Sequence, residues 1–128
     1  MTSNQNNKTG FALYCKDRFL ESAKTDSLPD VVFSIVAYNF VNATRWPEAP
    51  VANAIDPFEI LPDAPREVVE MWIPLSYKLL GSGDPVGEAM LCSPSTFEYH
   101  KKKFIAENPG FSADSYEYAI SLGAKAMR

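Results

Sequence analysis

Between Asp63 and Leu80 the chain carries its longest sustained apolar run, DAPREVVEMWIPLSYKLL, and that run limits what the remainder can form. Asp63 can cap a helix start, and Pro65 suits a first turn, where its missing N–H costs nothing. Val68, Trp72, Leu75 and Leu79 recur at helical spacing, with Val69, Ile73 and Leu80 one step round. A stripe this wide must be covered from more than one side. Pro74 removes the hydrogen bond to the carbonyl of Glu70, which predicts a bend. Gly81 reads as the left-handed stop.

At 128 residues, 46% hydrophobic and 12% aromatic, the chain has material for a real core. It is long enough to bury roughly two-thirds of its unfolded surface. The formal charge of −4 disfavours a bare nucleic-acid binder, which ordinarily carries a basic surplus. Cys15 and Cys92 are too few for a disulfide framework and have no metal-ligand spacing, so both are expected to act as small buried hydrophobes. Met1 to Gly10 is polar and has no apolar segment, which predicts an intracellular protein without an export signal. Charges and prolines interrupt every apolar run, so no membrane span is expected.

In chain order, residues 1–8 read as a flexible tail and 9–128 as one small helical domain. Thr9 to Thr25 is a first helix on Phe11, Cys15, Phe19 and Ala23. Residues 31–41, VVFSIVAYNFV, have the β-branched content of a strand, but the capped start at Ser27-Leu28-Pro29 and the length favour a helix. Arg45 to Pro62 reads as a long proline-rich connector pinned by Trp46 and Phe58, since loops of that length are uncommon unless anchored or functional. Gly81-Ser82-Gly83 is expected to turn the chain and Asp84-Pro85 to open a short helix. Another helix is expected from about Ser95 to Glu107, with Phe97, His100 or Lys101, Phe104 and Ile105 inward, stopped by Asn108-Pro109-Gly110. Ser112 caps the last helix, in which Gly123 marks a close helix contact at about 1 kcal/mol relative to Ala. The expected fold is all-α, with five or six helices.

Chemistry is sparse. His100 is the only histidine, and Lys101, Lys102 and Lys103 follow it where a triad would need an orienting acceptor. One histidine without carboxylate or thiolate partners in register makes no metal site. The spacing of Gly81 to Gly87 fits neither a dinucleotide loop nor a P-loop. Glu67 with Glu70, and Glu98 with Lys102, read as solvated helix faces. No catalytic, cofactor-binding or metal residue is therefore expected. The candidates for contact with a partner are Trp46, Phe58, Lys101, Lys102, Lys103 and Tyr118, while Tyr116 reads as core.

Phe97-Glu98-Tyr99-His100, the lysines, Glu107-Asn108-Pro109-Gly110-Phe111-Ser112 and Leu122-Gly123 resemble the first two helices of an HMG box. Gly10 to Arg18, with Trp46 closing the next segment, resembles the same opening, so the likeness covers about residues 10–46 and 96–127. Met127 stands near the family's tryptophan, and the basic surplus with which HMG boxes bend the minor groove is missing. The resemblance implies an L-shaped helical module that has exchanged DNA for a protein partner.

The leading expectation is a non-enzymatic interaction or structural subunit of a larger intracellular assembly, with other protein subunits as partners. The competing expectations are an HMG-like nucleic-acid-binding module and a small inhibitor or immunity-type protein that blocks an enzyme.

Overall fold

The first long apolar segment after the N-terminal helix is buried on nearly every side, and the first half of the fold is built on it. The structure, a computed structural model, describes residues 10–45 and 54–126. It is all-α: the helices are α1 (Gly10–Ser22), α2 (Leu28–Arg45), α3 (Pro57–Ile60), α4 (Arg66–Cys92), α5 (Phe97–Glu107) and α6 (Ala113–Ala126), with no strand among the described residues. The expected tail 1–8 and the pin Trp46 lie outside the described residues. By internal packing the chain divides into Met1–Ile73 and Pro74–Arg128.

In the first unit Ser27 starts α2: its carbonyl accepts from the Val31 N–H, and its hydroxyl donates to Asp30 at 2.6 Å. Val31, Val32, Phe33, Ile35, Val36 and Ala37 are all buried, and only Ser34 in that run faces solvent. Residues 31–41 are thus helix, and burial all round explains why their composition looks strand-like. Val31 and Ile35 pack with Ile55 and Ile60, and Phe19, Ala23 and Tyr38 lie against them. Val32 and Val36 pack with Val69, flanked by Phe58, Trp72 and Ile73.

Helix α4 corrects three expectations. It begins at Arg66, where the Pro65 carbonyl accepts from the Val68 and Val69 N–H groups, so Asp63 lies outside it. Of the stripe read in the sequence, Leu79 is buried, as are Val69 and Leu80 beside it, and Trp72 and Ile73 pack against the Val69 cluster, but Leu75 is exposed and Ser76 is buried instead. The helix neither stops at Gly81 nor restarts at Asp84; it runs unbroken through both. Pro74 and Pro85 free the carbonyls of Glu70 and Gly81. All four residues are on the solvent side, where water can satisfy those groups.

In the second unit the α4 glycines form a helix crossing. A Cβ placed on Gly83 would overlap the Ala119 carbonyl, and one on Gly87 would strike the backbone of Gly123 and Ala124. Gly123 in turn faces the Gly83 carbonyl and the Asp84 Cα. Small residues four apart on both helices let the two backbones touch. The sequence expectation that Gly123 marks a close contact holds, and its partners are Gly83, read as part of a turn, and Gly87.

The α5–α6 hairpin is closed by Asn108. Its side-chain amide donates to the Phe104 carbonyl at 2.9 Å, and its own carbonyl accepts from the Tyr116 hydroxyl at 2.6 Å. Gly110 takes φ 102°, a left-handed turn that favours glycine. The Tyr116 ring meets Phe104 and Phe111 edge-on. Ser112 caps α6 through the Ser115 N–H.

Candidate interaction surface

The groups capable of chemistry lie apart. Among the described residues, no three His, Cys, Asp or Glu side chains gather where they could hold a metal ion. Cys92 is exposed at the last residue of α4, contrary to the expectation of burial, because every residue from Met90 to Thr96 faces solvent and no element among the described residues covers that stretch. Cys15 is half-buried. Burial pushes its thiol pKa up, with Arg18 pulling the other way. Tyr38 is likewise raised by burial and then by Cys15. Arg18 is held above its ordinary value by the Tyr14 hydroxyl, to which it donates at 3.2 Å.

The expected contact residues separate into two kinds. Phe58 is half-buried on α3, and the Arg66 guanidinium sits 4.0 Å from its ring centroid, so it anchors the connector where the sequence placed a pin. Lys101 is engaged within the fold: its ammonium lies 3.0 Å from Glu117 on α6. Lys102, read in the sequence as pairing with Glu98, makes no ion pair among the described residues, and neither does Lys103; both are exposed. Tyr118 is exposed on α6.

Three residues that sequence reasoning passed over join the surface. Met90 and Leu91, in the last turn of α4, and Tyr99, in the first turn of α5, are large apolar side chains left in solvent. Tyr99 is 65% exposed, and its ring meets the His100 ring edge-on, centroids 5.3 Å apart. Every residue from Met90 to Thr96 is exposed. Helical period in 97–107 carried the signal for Tyr99, because it lies opposite Phe104. Met90 and Leu91 gave none, since their exposure depends on where α4 ends.

No helix among the described residues is long and apolar enough to cross a membrane. Compared with protein-family models, with curated sequences and with solved structures, the chain matches none.

Proposed function

We propose that the protein is a non-enzymatic subunit that docks other proteins within a larger assembly. The observation that carries this reading is the group of large apolar side chains, Met90, Leu91 and Tyr99, standing in solvent on either side of the α4–α5 junction. Single exposed apolar residues are ordinary, but large ones clustered on a short surface segment are the usual mark of a contact surface. Tyrosine and methionine suit such surfaces because they bury much area at little conformational cost.

Affinity capture from the native source, with mass spectrometry of companion proteins and nucleic acid, tests the reading. The expected result is a stoichiometric multi-protein complex. Recovery of DNA alone, released by salt, supports the HMG-like reading instead. A single tightly bound enzyme in a one-to-one complex supports the inhibitor reading.

A further inference from the structure

We infer that the outward face of α5 receives an acidic amphipathic helix of a partner protein, an inference that rests on the subunit reading and specifies its partner's chemistry. Phe104 fixes which side of α5 is buried, and Lys101 is turned toward α6 by Glu117. Opposite them Tyr99, Lys102, Lys103 and Ala106 are all exposed. At offsets of three, four and seven they share one helical face. Around the helix, Tyr99 and Ala106 form its centre line, with one lysine on each side. Glu98 and Glu107 stand beyond the lysines, at the rims.

This pattern prescribes the occupant. Two turns along the same line from Tyr99, the small side chain of Ala106 leaves the face open to an apolar side chain of the incoming segment. Lys102 and Lys103, which make no ion pair among the described residues, flank that apolar line where carboxylates of the incoming helix would lie. A helix with an apolar stripe bordered by Asp or Glu satisfies both requirements. Nucleic acid fits less well. Two lysines neutralise two phosphates at most, too few for the multiple phosphate contacts on which nucleic-acid affinity rests. The unit Pro74–Arg128 also carries as many acids as bases, which gives no broad attraction for a polyanion.

The test is titration of the full chain with three probes. The first is a capped synthetic helix of about 18 residues, long enough to hold helical structure, with leucines on one stripe and glutamates beside it. The second carries lysine for glutamate, and the third is a short duplex DNA. The acidic helix is expected to bind at least about tenfold more tightly than either other probe, and to weaken as salt is raised. K102E/K103E is expected to weaken it about tenfold or more, with the milder K102Q/K103Q in the same direction. Y99A is expected to weaken it about fivefold without changing the salt dependence. Circular dichroism checks that each variant keeps its helices. Failure of the acidic helix to bind, equal binding of the lysine helix, tighter binding of DNA, or indifference to both lysine variants overturns the inference. A captured complex that survives K102E/K103E unchanged removes this face while leaving the subunit reading in place.

Discussion

Asn39 holds Ile55 by both of its backbone groups: the side-chain oxygen accepts from the Ile55 N–H and the side-chain nitrogen donates to the Ile55 carbonyl, each at 2.8 Å. The amide thus pairs with the connector as a neighbouring backbone would. It holds the Ile55 side chain, 1% exposed, against Val31 and Ile35. Without it two part-buried backbone groups lose their partner. Asn39→Ala is expected to lower stability by about 2 kcal/mol in chemical denaturation. Asn39→Asp keeps the acceptor but sets a carboxylate against the Ile55 carbonyl, so its loss should shrink as the solution is made acidic.

The glycines of α4 separate by what lies beside them. Beyond its own turns of helix, Gly81 has no atom of the described residues within 4 Å of where a Cβ would be, whereas Gly83, Gly87 and Gly123 each face backbone that cannot yield cheaply. Gly81→Ala is expected to stabilise by about 0.5–1 kcal/mol, since alanine is the better helix former. Gly87→Ala and Gly123→Ala are each expected to cost about 2–3 kcal/mol as the α4–α6 crossing is forced apart. Thermal melts of the three single variants check this ordering.

These glycines also show where sequence reasoning reached its limit. Gly81-Ser82-Gly83-Asp84-Pro85 has the composition of a turn, and local propensity alone cannot distinguish a chain that breaks from a helix that needs a bare surface. That distinction depends on α6, some forty residues away in the sequence. One member of the α4 stripe, Leu75, departs from its expected burial for a related reason. Ser76 is fully buried and Leu75 is not, because a small side chain fits where the packing is tight, and a reading of apolar periodicity passes over a serine. By contrast, the burial of Tyr116, the Ser112 cap and the Asn108-Pro109-Gly110 break follow from short-range chemistry and were legible. So was the helix over 31–41, where length outweighed β-branched composition. Of the contact surface, the lysine run was visible, but that Lys101 is occupied by Glu117 was not.

Two buried hydroxyls should respond oppositely to removal. The Tyr116 hydroxyl donates to Asn108 at 2.6 Å, so Tyr116→Phe leaves a buried carbonyl short of a partner and is expected to cost about 1–2 kcal/mol. The Ser76 hydroxyl has no hydrogen-bond partner among the described residues, so Ser76→Ala is expected to be neutral or to stabilise by up to about 1 kcal/mol. Urea denaturation of both variants measures the contrast.

Alkaline solution should weaken the first unit. Burial raises the pKa of the Cys15 thiol and of the Tyr38 phenol, so the folded chain keeps protons that the unfolded chain releases. The stabilising effect is complete below the ordinary values of these groups and is lost as pH rises through their raised values, from about pH 9 upward. Cys15→Ser with Tyr38→Phe should flatten the fall in melting temperature over that range. In the native protein at neutral pH, a maleimide should label exposed Cys92 well before Cys15, which peptide mapping would show.

Hydroxyl-radical footprinting of the free protein and of the natively captured complex tests the docking account most directly, because it reads the contact side chains themselves. The account requires oxidation of Met90, Leu91 and Tyr99 to fall sharply in the complex while exposed Leu13 and Tyr14 on α1 serve as comparison sites. Unchanged oxidation at all three, with protection confined to α1 or α2, would contradict it.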